Sequence, residues 1–176
     1  MSKKNKVIRY STAKSDLGWI IIAATKNGIC NISLSNNHAL LIANANELFP
    51  IGNYDPNDES LKNWIMKLVE FVHKPTKNLM LPLEITGTVF QCNVWSKIQK
   101  IPLGETRTYK EIAQSIGNPL AYRAVAQACA TNPLALAIPC HRVLRTDGKL
   151  SGYRWGTNIK NNLLERESLA PLLTSI

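Results

Sequence analysis

The sequence predicts an α+β protein: a small antiparallel sheet with a covering helix, followed by a mostly helical half organised around a helix-turn-helix. Three observations carry this. Apolar residues alternate through the first 34 positions, a 3.6-residue period takes over after Asp58, and helix-start signals recur after Thr86-Gly87. The 176 residues, 45% of them hydrophobic, suit one ordinary domain or two small ones sharing an interface.

Residues 7–12, 19–24 and 29–34 read as strands, and Asn27-Gly28 supplies the positive-φ residues of a tight hairpin turn. Leu61, Trp64, Ile65, Leu68, Val69 and Val72 then fall on one helical face, so this helix should cover the sheet. Residues 81–85 read as a further strand. The composition shifts at Thr86-Gly87, which places a domain boundary between 1–86 and 87–176.

In the second half, Thr88 with Gln91 and Thr108 with Glu111 fit the capping box, where a hydroxyl and a polar side chain three residues on satisfy free backbone N–H groups reciprocally. Gly117 is placed to end the second of these helices. Asn118-Pro119 then reads as N-cap and first residue of a helix over residues 120–131. Helix, short glycine turn, helix in a basic segment is the helix-turn-helix pattern. The second helix sets Ala121, Ala124, Ala126, Ala128 and Ala130 around one cation, Arg123. Such a bare helix can approach a nucleic-acid groove closely, or can simply pack tightly against another helix. Past Pro133 the chain reads as mostly extended, with a turn at Thr146-Asp147-Gly148 and a last helix from about Asn158 that buries Ile159, Leu163 and Leu164.

The net charge of +9 is uneven: residues 1–84 hold 10 Lys+Arg against 7 Asp+Glu, and residues 85–176 hold 11 against 5. A basic second half suits a polyanion such as DNA, although a solvated basic face gives the same count. No apolar run approaches the roughly 20 residues of a membrane helix, and the N-terminus lacks a signal-peptide core, so a cytoplasmic protein without a membrane partner is expected. Four cysteines without a CxxC pair, and three histidines without matching spacing, spell neither a zinc site nor a disulfide framework.

Reduced thiols can be nucleophiles, but only as thiolates. Cys140 has His141 beside it and Arg142 and Arg145 close behind, a cationic stretch expected to favour the thiolate. Cys30, Cys92 and Cys129 lie on predicted regular elements and read as structural. Neighbouring side chains on a regular strand point to opposite faces, so His141 can serve Cys140 only through an irregular backbone or a bridging water; Pro139 favours the irregular backbone.

The run Ile138-Pro139-Cys140-His141-Arg142-Val143, the downstream Ser151-Gly152-Tyr153-Arg154-Trp155-Gly156 and the upstream Ile101-Pro102-x-Gly104-Glu105-x-x-x-Tyr109 together resemble the O6-alkylguanine-DNA alkyltransferases, and in particular the bacterial methylated-DNA-protein-cysteine methyltransferases. The likeness is dense over residues 87–167 and looser before them. It implies a ribonuclease-H-like N-terminal domain without nuclease function, and a winged-helix-like helix-turn-helix domain holding the acceptor cysteine.

Position by position, the resemblance makes Cys140 the alkyl acceptor, His141 its water-linked base, Glu167 the acid that orients His141, and Asn132 the hydrogen-bonding partner near the thiol. A base-paired O6 faces its partner, so attack requires the nucleotide to be flipped out of the duplex. The resemblance gives Arg123 the vacated space, with Ala121 and Ala124 fitting against sugar and phosphate. It makes Tyr109 the donor to guanine N3 and Tyr153 the pocket aromatic. The carbonyls of Cys140 and Val143 and the N–H of Arg154 would read the guanine edge. The implied reaction is a single irreversible transfer from O6-alkylguanine, and from O4-alkylthymine, in double-stranded DNA. It needs no cofactor and is performed by a monomer.

Adaptive-response relatives carry an extra four-cysteine zinc domain, which this sequence does not contain, so a regulator's role is not expected. Two rivals remain open: a non-enzymatic helix-turn-helix DNA-binding or damage-sensing protein, and a Cys-His hydrolase with many turnovers.

Overall fold

The computed structural model describes residues 7–149 and 152–170. Strands β1 (Arg9–Ser15), β2 (Gly18–Thr25) and β3 (Gly28–Ser35) form the expected antiparallel meander. At the hairpin only Gly28 takes a positive φ, +143°; Asn27 does not. A Cβ at Gly28 would lie 2.7 Å from the Pro82 carbonyl oxygen, because residues 82–84 run alongside the start of β3. That contact is a single parallel bridge, Ile29 to Leu83, so the further strand expected at 81–85 is reduced to one rung.

The sheet is also not purely antiparallel. After β3 the chain forms helix α1 (His38–Leu48), and a short β4 (Asn53–Tyr54) then joins β1 in parallel, giving the order β3-β2-β1-β4. A parallel neighbour needs a crossover, and α1 lies in that connection. Alternation in β2 divides two cores. Ile20, Ile22 and Ala24 face helix α2 (Glu59–His73), which packs the predicted Leu61, Ile65, Leu68 and Val72 against them; Ile21 and Ala23 face Leu41 and Ala45 of α1.

In the second half, α3 (Val89–Ile98) and α4 (Tyr109–Ser115) both begin with complete capping boxes, at Thr88/Gln91 and Thr108/Glu111. Gly117, at φ +78°, ends α4 in a Schellman motif: Asn118 N–H donates to Ala113 O and Gly117 N–H to Gln114 O. This corrects the expected start of the next helix. Asn118 is spent on closing α4, the chain turns through Ala121, and α5 runs Tyr122–Ala130 without a side-chain cap. Trp95 of α3 is buried and donates from Nε1 to Ala128 O at 2.9 Å, so one alanine of α5 serves helix packing.

The segment after Pro133 is not extended. Leu134 makes one bridge to Ile32 of β3, residues 135–137 turn with Leu136 at φ +66°, and Cys140–Arg142 form a 3-10 turn before β6 (Val143–Leu144). β6 pairs in parallel with β5 (Arg107–Thr108). Helix α6 (Thr157–Ser168) closes the structure, burying Ile159 and Leu163 while Leu164 stays half-buried. Ser151 of the downstream motif lies outside the described residues. One hydrocarbon core runs from Ile20 and Leu68 to Trp95, Ile138 and Leu163, so the edge of β3 and this core together hold the Cys140 turn in place.

Candidate active site

Asn132, fully buried at the end of α5, organises the turn that carries Cys140. Its Oδ1 accepts from Leu134 N–H at 2.8 Å, and its Nδ2 donates to Ile138 O at 2.9 Å and lies 3.2 Å from Cys140 Sγ. A leucine at positive φ costs about 1–2 kcal/mol. The Asn132 bonds straddle Leu136 and hold the chain in this strained path, which turns the thiol toward α5.

His141 is fully buried behind Cys140, and its Nε2 lies 2.8 Å from Glu167 Oε1 on α6. Arg142 donates from Nε to Glu167 Oε2 at 2.8 Å and from Nη2 to Oε1 at 3.0 Å, and from Nη1 to Ile101 O at 2.7 Å. Burial alone would raise the Glu167 carboxyl, but the charges and hydrogen bonds of His141 and Arg142 outweigh it and hold the group at about 2. Glu167 is therefore an anion at neutral pH, bonded to one imidazole nitrogen and clamped in a fork by Arg142. The other imidazole nitrogen, Nδ1, is buried with no hydrogen-bond partner among the described residues.

The thiol departs from expectation. Arg142 is committed to Glu167, and Arg145 pairs with Asp147 at the surface, so neither guanidinium is spent on the sulfur. Burial pushes the Cys140 thiol well above its ordinary value; neighbouring Cys129 adds to the rise, while Asn132 and Lys160 oppose it. Charges close in sequence did not lower the thiol because both guanidiniums are paired with carboxylates, Arg142 with Glu167 and Arg145 with Asp147. Cys129, expected to be merely structural, contacts the acceptor candidate. Lys160 of α6, fully buried, donates to Val143 O at 2.8 Å and is lowered by burial to about 8.

In front of Cys140 opens a cavity of about 890 Å³ walled by Tyr109, Tyr122, Arg123, Cys129, Tyr153 and Arg154 among others. Tyr109 begins α4, and Arg123 is exposed on α5 with its guanidinium carbon 5.9 Å from the Tyr122 ring. Ala124 is exposed on the same helix and Ala121 half-buried at its start, though neither borders the cavity. The Tyr153 ring stands edge-on to His141 at 6.2 Å and to Trp155 at 5.1 Å, with its hydroxyl buried and, among the described residues, without a hydrogen-bond partner. Arg154 ties this loop down by donating from Nη1 to Asn132 O at 2.8 Å. Val143 is buried, with its N–H on Cys140 O.

A model of the ribonuclease-like domain of 6-O-methylguanine DNA methyltransferases matches residues 8–85, and a model of their DNA-binding domain matches residues 89–169. The chain is 38% identical over 158 residues to the methylated-DNA–protein-cysteine methyltransferase of Methanosarcina barkeri, covering 90% of this chain and 96% of the relative. It belongs to the 6-O-methylguanine DNA methyltransferase family. It is also 44% identical over 165 residues to the bifunctional transcriptional activator/DNA repair enzyme Ada of Escherichia coli, covering 94% of this chain but 47% of Ada, so it spans about half of that relative's length. The Mycobacterium tuberculosis OGT structure in complex with DNA superposes with a TM-score of 0.77 at 34% identity, over 92% of this chain and 94% of that one. The α+β architecture is thus that of this methyltransferase family, a ribonuclease-like domain followed by a helical DNA-binding domain. Among the described residues, no helix is long and apolar enough to cross a membrane.

Within this methyltransferase framework, the sequence had placed Cys140, His141, Glu167 and Asn132 together, and the structure does join them. It gave Arg142 to the thiol rather than to Glu167, read Cys129 as structural, and left out Tyr122 and Lys160. The i, i+7 spacing of Lys160 and Glu167 on one face of α6 was the available signal for the last of these.

Proposed function

We propose that this protein repairs double-stranded DNA by moving an alkyl group from O6-alkylguanine, and from O4-alkylthymine, onto Cys140, once per molecule. The observation that supports the reading is Cys140 at the wall of an open cavity of about 890 Å³, roomy enough for a purine, backed by a buried imidazole–carboxylate–guanidinium set and flanked by a small-residue helix bearing Arg123.

The step balances as a displacement. Cys140 Sγ forms a bond to the alkyl carbon, the carbon–O6 bond breaks, and its electron pair passes to the guanine. The thiol proton leaves toward His141 Nδ1, directly or through a solvent relay, and Glu167 stabilises the imidazolium that results. Tyr109 donates to guanine N3, which makes the base a better leaving group. Tyr153 packs the base, the Cys140 and Val143 carbonyls and the Arg154 N–H meet its edge, and Arg123 fills the space it vacates in the duplex, with Ala121 and Ala124 against the backbone. The product is a thioether, which has no easy hydrolytic route back to thiol, so each molecule acts once. The reading includes a monomer at work in the cytoplasm, divided into domains at 1–86 and 87–176, and no cofactor.

The test is a pair of variants on an O6-methylguanine duplex. Cys140→Ser should bind the duplex like the parent and gain no methyl group, whereas Arg123→Ala should bind it about ten-fold more weakly or worse. A Cys140→Ser protein that still takes up methyl would move the acceptor elsewhere. An unmodified parent that binds the duplex would favour a damage-sensing protein.

A further inference from the structure

Two of the four cysteines share one wall. Cys129, on the last turn of α5, and Cys140, on the 3-10 turn, both border the cavity, whereas Cys30 and Cys92 do not. The pairing follows from how α5 ends. Val125, Ala128 and Cys129 form its buried face, and Asn132, just past its end, donates its backbone N–H to Cys129 O at 3.3 Å. The same asparagine's side chain donates to Ile138 O at 2.9 Å and lies 3.2 Å from Cys140 Sγ. One residue therefore ties the last turn of α5 to the acceptor turn, and the two thiols meet there. Cys129 is near enough to push the Cys140 thiol further up.

Alkyl transfer uses Cys140 alone and gives the second thiol no task. Paired thiols have a chemistry of their own: when one is oxidised to a sulfenic acid, its neighbour can attack that sulfur and close a disulfide before more oxygen is added. This matters for a protein that acts once. A sulfinic acid at Cys140 would end its use as finally as the thioether does, whereas a disulfide returns to two thiols by exchange with a reduced dithiol.

Building on the transfer reading, we propose that Cys129 and Cys140 form a redox-modification site, closed to an intramolecular disulfide by hydrogen peroxide and reopened by a dithiol reductant. Cys129 is 8% exposed against 2% for Cys140, so it meets the peroxide first from the cavity side. Its sulfur bonds to one peroxide oxygen, the O–O bond breaks, and the thiol proton passes to the departing oxygen, leaving S–OH and one water. Cys140 Sγ then attacks the Cys129 sulfur, the S–O bond breaks, and the Cys140 proton leaves with the hydroxyl as a second water. Two thiols are oxidised to one disulfide, and one peroxide is reduced to two waters. While the bond is closed the acceptor sulfur has no lone thiol to offer an alkyl carbon, and it is also shielded from further oxidation.

The test reads the thiols without DNA, so that it stands or falls apart from the repair activity. The full folded chain is treated with hydrogen peroxide and then unfolded, its remaining thiols are blocked with iodoacetamide, and the tryptic peptide 124–142, which holds Cys129 and Cys140 and no other cysteine, is weighed. In the parent this peptide should lose two hydrogens and take no blocking group, and dithiothreitol applied before blocking should restore both thiols. Cys129→Ala and Cys129→Ser cannot close the bond, so at the same dose their Cys140 should gain two or three oxygens that dithiothreitol does not remove. A second arm measures methyl transfer from an O6-methylguanine duplex, each protein against its own untreated sample. Peroxide should lower transfer by the parent about ten-fold or more, with recovery after dithiothreitol, and lower it in the Cys129 variants without recovery. If one variant fails to fold, the other and the parent masses still decide. A parent peptide that gains oxygen at Cys140 without losing two hydrogens, a disulfide that links two chains instead, or Cys129 variants that recover as the parent does, overturns the proposal. A parent that closes the disulfide but takes no methyl when untreated leaves the site standing and removes the repair reading.

Discussion

The two ends of this molecule solve burial in opposite ways. Around β2 and α2 the interior is hydrocarbon: Ile20, Ile22, Ile32, Leu61 and Leu68 are fully buried, and the buried polar residues there, Ser11, Thr25 and Asn31, are uncharged. Around the Cys140 turn, Asn132, His141, Arg142, Lys160 and Glu167 are buried together, and among the described residues the three buried formal charges all lie here. Apolar burial contributes stability without regard to direction, at roughly 25 cal/mol per Å². Buried charges add little or nothing net to stability but fix atoms in place. The contrast separates a scaffold from a site, with the edge of β3 as the joint through its bridges to residues 83 and 134.

The contrast breaks most sharply at Glu167. Glu167→Ala leaves Arg142 and His141 without their anion and is expected to destabilise the protein by about 3–5 kcal/mol in urea unfolding, with methyl transfer lost even in the folded fraction. Acid probes the same group without mutation. Its folded carboxyl sits at about 2, below its ordinary 4.5, so its stabilisation is complete above about pH 5 and fades as pH falls toward 2. The amount is about 3 kcal/mol. Parallel acid unfolding of parent and Glu167→Gln should show the parent losing that advantage across this window. At the scaffold end, Ile22→Val removes one methyl group from the hydrocarbon core. It should cost about 1 kcal/mol and leave the transfer rate of the folded protein unchanged. A scaffold substitution that slowed transfer as much as one at the site would erase the distinction.

The same division governs what could be read from the sequence. Apolar periodicity exposed α2, the meander and the last helix, because one-sided burial leaves a repeating trace. It missed α1, whose residues His38–Leu48 mix apolar positions with asparagines and carry only Leu41 and Ala45 inward. Capping boxes gave the starts of α3 and α4, but Asn118-Pro119 misplaced the start of α5, since the asparagine N–H serves the preceding helix. At the site, the acceptor turn and its supports were recognisable by resemblance. Their electrostatics were not, because Arg142 pairs with Glu167 and Arg145 with Asp147 rather than with the sulfur near which the chain places them. Lys160 left only a faint trace, its seven-residue spacing from Glu167 on a polar helix, and the fold brings it inside.

The central claim is that the Cys140 thiol is consumed as an alkyl acceptor, and stoichiometry tests it most directly. The protein is mixed with excess O6-methylguanine duplex and followed by intact mass and peptide mapping until the reaction stops. The account predicts one methyl group per protein, located on the peptide containing Cys140, with one repaired guanine for each protein molecule spent. Repeated turnover by unmodified protein, or methyl found on another residue while Cys140 stays free, would contradict it.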